Sequence, residues 1–93
     1  MDIDGYARFL EGQKLSPAGI ATRKRWLIVV KNYLGKSLDE VVAENNEMYQ
    51  ALIKLQEVDD PTHTPRQNAL RKYYTFKNRT EFPRLSKFRL LLK

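Results

Sequence analysis

The residues best equipped for chemistry lie between Thr64 and Asn78. On a helical period, Gln67, Asn68, Arg71, Lys72, Thr75 and Asn78 fall on one arc, opposite Ala69, Leu70, Tyr73, Tyr74 and Phe76. The polar arc mixes cations with amide and hydroxyl groups and holds no acid. Guanidinium and amide side chains can each satisfy two acceptors at once, which suits phosphate oxygens and the edges of bases. Thr64 reads as an N-cap and Pro65 as the first helical residue, so a helix carries this arc. A basic amphipathic helix is as often a solvated face over a core, and the rest of the chain has to decide between the two.

The patterns that support catalysis are missing from the sequence. One histidine and no cysteine do not make a usual zinc site. His63-Thr64-Pro65-Arg66 spells His-x-x-Arg, but it falls at a helix start with no catalytic fold around it, so His63 reads as a loop residue. Asp59 and Asp60 are adjacent, which turns their carboxylates apart, and they read as loop residues rather than metal ligands. Glu40, Glu44 and Glu47 read as a solvated acidic face. Gly5, Gly12, Gly19 and Gly35 form no phosphate-cradling loop. The expectation is a chain that is not itself an enzyme and uses no metal or cofactor.

Charge is distributed in blocks. Residues 16–36 carry five basic side chains and no acid, whereas residues 37–60 set Lys54 against seven acids. Residues 61–93 carry nine basic groups against Glu81 alone. If the two basic segments meet in space, the molecule gains a positive face and a negative back, and that polarity points to a polyanion more strongly than the net charge of +6. No apolar run approaches the roughly 20 residues that span a bilayer. The acidic start Met1-Asp2-Ile3-Asp4 is unlike a signal peptide, and a cytoplasmic location is the simplest expectation.

Helices and turns must position these groups. The first helix is expected from about Asp4 to Gln13, with Ile3, Tyr6, Phe9 and Leu10 inward. The second opens at Ser16-Pro17 and stops before Gly35; Ile20, Leu27, Val30 and Leu34 share its apolar arc, and Ile28 and Val29 widen it enough to make this helix central. Trp26 to Val30 also reads as a strand, but the caps favour helix. Leu38 to Val42 is a short turn or helical piece, and a third helix runs from about Asn46 to Glu57 on Met48, Leu52 and Leu55. The fourth starts at Thr64. One domain is expected over residues 1–80, with 81–93 a basic tail, linker or short fifth helix.

Ser16-Pro17, Ile20, Leu27, Val30 and Tyr33-Leu34 resemble the Ser-x-x-Thr-Ile … Leu … Phe … Tyr-Leu pattern of the core-binding domain of tyrosine recombinases (phage integrases). Ala69-Leu70-Arg71-Lys72-Tyr73-Tyr74-Thr75-Phe76 is similar to that family's Ala-Leu-Arg-x-Phe-Tyr-x-Phe helix, and the likeness covers roughly residues 4 to 80. It implies an all-α bundle of about four helices, SAM-like, that clamps duplex DNA with its second and fourth helices. Those are the two acid-poor segments. Gly19 stands where the family usually has threonine, and Arg23 stands where an aromatic is usual, inside the apolar arc, so Arg23 must snorkel outward or meet a partner. A helical domain of restriction-type and defence nucleases, with an Ala-Leu-x-Lys-Tyr-x-x-Phe helix, is a close competitor.

These readings converge on a non-catalytic domain for double-stranded DNA, linked in a longer protein to a catalytic domain. The expected phosphate contacts are Lys24, Arg25 and Lys31 from the second helix, with Thr64, Arg66 and Lys72 around the fourth. Backbone amides at the helix starts capped by Ser16 and Thr64 would add to them. Gln67, Asn68 and Arg71 are the expected base contacts, Arg71 being equally suited to a structural role. The rival is a protein-interaction module, self-associating through Ile28, Val29 and Leu90-Leu91-Leu92 or meeting an acidic partner. Membrane binding is not expected, because no helix pairs a bulky apolar stripe with a lysine-rich face.

Overall fold

Four of the five described helices begin where a carboxylate or hydroxyl takes up free backbone amides, and the two longest end on a left-handed residue. A computed structural model describes residues 1–60 and 64–84 and contains five α-helices: α1 Ile3–Gly12, α2 Pro17–Leu34, α3 Leu38–Ala43, α4 Asn45–Gln56 and α5 Pro65–Asn78. His63 and the tail from Leu85 onward lie outside the described residues. Asp2 accepts from the Gly5 amide at 2.9 Å, Ser16 from Gly19 at 3.1 Å, and Glu44 from Asn46 and Glu47 at 3.0 and 2.9 Å. Gly35, at φ +64°, closes α2. Arg79 closes α5 in the same left-handed region, at φ +58°.

The protein is all-α, as its periodicity indicates, with two changes. Leu38–Ala43 is a helix in its own right, which makes five helices rather than four. The run Trp26–Val30 lies inside α2, as its caps indicate. The second change concerns the centre of the bundle. α5, rather than α2, is the central element: it packs on each of the other four helices, most extensively on α2. Ile28 accordingly stays 46% exposed on the outer side of α2.

Tyr6, Leu10, Leu27, Val30, Leu38, Met48, Leu52, Leu55, Leu70 and Tyr73 are fully buried. Each large apolar side chain buried in this way contributes about 1.5–3 kcal/mol. An aromatic cluster joins α1 to α5, with Tyr6 and Tyr73 at 5.7 Å between ring centroids and Phe9 and Phe76 also at 5.7 Å. A β-carbon on Gly5 would come within 2.7 Å of Phe76, so only glycine admits the ring here. The core passes the boundary expected at residue 80. Phe82 is buried and meets Tyr74 edge-on at 5.1 Å, so the chain folds back over α5 after its end.

Acidic side chains from the α3–α4 region fasten these elements together. The Tyr73 hydroxyl donates to Asp39 and accepts from the Asp2 amide at 3.0 Å. Asp39 also pairs with the Met1 amino group at 3.2 Å and Lys77 at 3.7 Å. The Tyr73 hydrogen bond above all, helped by those two cations, holds the Asp39 carboxyl below the ordinary carboxylate range. Lys36 pairs with Glu47 at 3.0 Å.

Candidate functional site

The start of α5 was expected to supply Thr64, Arg66 and Gln67 to a ligand, and instead it is closed by Asp59. The Asp59 side chain is 1% exposed. Its carboxylate accepts from the Arg66 amide at 3.4 Å, the Gln67 amide at 3.0 Å and the Arg66 guanidinium at 3.2 Å. Thr64 occupies the N-cap position but makes no side-chain cap bond. The cause is electrostatic: the first turn of α5 holds no acid, and a carboxylate from the preceding loop satisfies both the orphaned amides and the positive end of the helix. The amides expected to hold a phosphate already hold an anion.

Two expected contacts therefore face inward. Arg66 also donates to the Val58 carbonyl at 3.3 Å, and its guanidinium lies 4.9 Å from the centre of the Trp26 ring. Gln67 donates its side-chain amide to the Leu52 carbonyl at 3.2 Å, reading the backbone of α4 rather than a base edge. Arg71 takes the structural role that the sequence left open, donating to the carbonyls of Phe82 at 3.1 Å and Pro83 at 3.4 Å. Burial lowers its pKa below the ordinary arginine value, with Glu81 opposing that shift. Asn78 donates to the Val42 and Tyr74 carbonyls, and Thr75 to the Arg71 carbonyl. Much of the polar arc of α5 is thus spent on backbone carbonyls, those of α3, α4, α5 itself and the segment that follows it.

What remains open to solvent is a groove where α2 crosses α5. At its upper end is a largely apolar depression of about 370 Å³ walled by Leu15, Ala18, Thr22, Trp26 and Pro65. Below it is a cleft of about 280 Å³ with four cations, Arg23, Arg71, Lys72 and Arg84, around Thr75, with Glu81 as its acid. Arg23 and Asn68 line both, so the two depressions adjoin. Lys72 donates to Gln13 at 3.0 Å, while Arg23 and Arg84 are not ion-paired among the described residues.

The expected cations of α2 divide between its edges. Lys24 and Lys31, seven residues apart, share one edge, whereas Trp26 is about 200° round the helix from Lys24. The groove opens on the Trp26 side. Arg25 is exposed and only about 60° from Thr22, which places it beside the groove. Of the nine residues singled out in the sequence, Asn68, Arg71 and Lys72 line the groove and Arg25 borders it; Thr64, Arg66 and Gln67 belong to the closed start of α5, and Lys24 and Lys31 lie on the far edge.

Three groove residues were missed. Arg84 sits in what read as a tail, and nothing local announces its return to α5. Trp26 read only as part of the apolar surface of the second helix, which with Tyr33 it widens. Arg23 did carry a signal, since an arginine inside an apolar arc needs either a route to water or an anion. Among the described residues no cluster of three or more histidines, cysteines or carboxylates could hold a metal ion, and no helix is long and apolar enough to cross a membrane. Comparison of the chain with protein-family models, curated proteins and solved structures finds no match.

Proposed function

We propose that this chain is a non-catalytic DNA-binding domain that receives duplex DNA along the face where α2 and α5 meet. One observation carries the reading: the two acid-poor basic segments make the most extensive helix pairing in the fold, and the groove between them gathers four cations around one carboxylate. Acids from residues 37–60 are meanwhile engaged with helix ends and with Lys36, Arg66 and Lys77. A polyanion would therefore meet a face whose cations, among the described residues, are offset by Glu81 alone. Arg25, Lys72 and Arg84 are placed for phosphates, and Asn68, exposed at the middle of the groove, is placed for a base edge.

The resemblance to the core-binding domain of tyrosine recombinases adds a finer reading. In it the domain holds DNA for a catalytic domain elsewhere in the same protein; an accessory domain of a defence nuclease would use the same face. Affinity for arbitrary duplex is expected at about micromolar or weaker, falling steeply with salt. NMR titration of labelled protein with a short random duplex tests this. Shifts at Arg25, Asn68, Lys72 and their neighbours, fading as salt rises, are the expected result. An unchanged spectrum at low salt would sink the proposal.

A further inference from the structure

The groove is recessed in a way that a duplex does not use. A B-form backbone presents its phosphates outward and can meet Arg25 beside the groove, but it cannot lower a phosphate and its base together into adjoining pockets. An unpaired nucleotide can, because its base is free to leave the stack. The groove has the matching division of chemistry. Its upper half is apolar with an indole in the wall, and its lower half is cationic. Arg23 and Asn68 stand at the junction, where a sugar would lie and where an amide could reach a base edge.

We propose that this groove holds one unpaired phosphorylated nucleotide, its phosphate among Arg23, Lys72 and Arg84 and its base against Trp26. The inference deepens the DNA-binding reading and rests on it for the source of the nucleotide. Three features support it. Four cations line an open cleft with only Glu81, among the described residues, to offset them, so an anion relieves their mutual repulsion. Arg71 is fixed by the Phe82 and Pro83 carbonyls, which keeps one positive charge at the cleft without a search through rotamers. Arg66 lies over Trp26 and holds the indole in place as a wall for stacking.

Trp26 is the sole tryptophan, so its fluorescence reports the upper half of the groove directly. The full chain is titrated with inorganic phosphate, deoxyadenosine, deoxyadenosine monophosphate, a blunt duplex and the same duplex with a 5′-phosphorylated single-stranded overhang. The expected result is quenching by the monophosphate and by the overhang, much weaker quenching by deoxyadenosine, and displacement of the monophosphate by excess phosphate. Tighter binding of the overhang than of the free monophosphate identifies a strand as the source; equal binding identifies a free nucleotide, and both support the site. Arg23→Gln should weaken quenching at least tenfold, whereas Lys36→Gln, which removes the same charge beside Glu47, should not. An overhang that binds no better than the blunt duplex, with no response to the monophosphate, overturns the nucleotide site and leaves the duplex proposal standing. Loss of duplex binding as well would overturn both. A folded Arg23→Gln protein that responds like the parent also refutes the site.

Discussion

Asp59 does for α5 what an acid in its own first turn would ordinarily do, and it does so while almost fully buried. Truncating it to alanine strips both amides and leaves the Arg66 guanidinium facing a void. Asp59→Ala should therefore cost about 2–3 kcal/mol in urea denaturation, while Asp59→Asn, which can accept from only one of the two amides and cannot pair, should cost about 1–2 kcal/mol. A neutral result for alanine would show that Thr64 can take over the cap. The tyrosines make a second residue-scale prediction. Burial pushes the Tyr6 hydroxyl up to about 12, and it donates to the Ala69 carbonyl at 3.4 Å. Because this folded value lies above the unfolded one, the stabilisation is complete below about pH 10 and is lost as pH rises toward the folded value. Tyr6→Phe should flatten that alkaline decline. Asp39 works in the opposite direction: its lowered pKa contributes stability above the ordinary carboxylate value of about 4, which disappears on further acidification, and Asp39→Asn should blunt the acid limb.

The helix ends separate what was legible in the sequence from what was not. Ser16-Pro17 and Gly35 are local signals, and both ends of α2 fall where they indicate. α5 likewise begins at Pro65, but its cap lies five residues before Thr64, so no nearest-neighbour pattern identifies it. Arg71 and Gln67 were legible as polar and not as inward-facing, because what they bond, the carbonyls of Phe82 and Leu52, becomes adjacent only after folding. The edge separating Lys24 from Trp26 follows from helical spacing alone, yet which edge opens to solvent depends on where α5 lies. The end of α5 is also suboptimal. Arg79 adopts a left-handed conformation that costs a side chain about 1 kcal/mol, so Arg79→Gly should raise stability by up to that amount and the melting temperature by about 4 °C. A lower melting temperature would show that the Arg79 side chain makes a compensating contact.

At the scale of the molecule, the chain after α5 belongs to the fold. Phe82 sits edge-on to Tyr74, and its carbonyl accepts a hydrogen bond from Arg71. Phe82→Ala should cost about 3 kcal/mol and free Arg71 from its fixed place at the cleft, so stability and nucleotide binding should fall together. An effect on stability alone would place Arg71 outside the anion site. The central position of α5 has one more consequence, for the time course of folding. The helix that touches every other helix is the last one in the described chain, so residues 1–60 emerge with no element to close their core. Partial structures formed during synthesis should be transient, and the bundle should form in one cooperative step once α5 is available, with the aromatic contacts between the two ends of the chain among the last to be made.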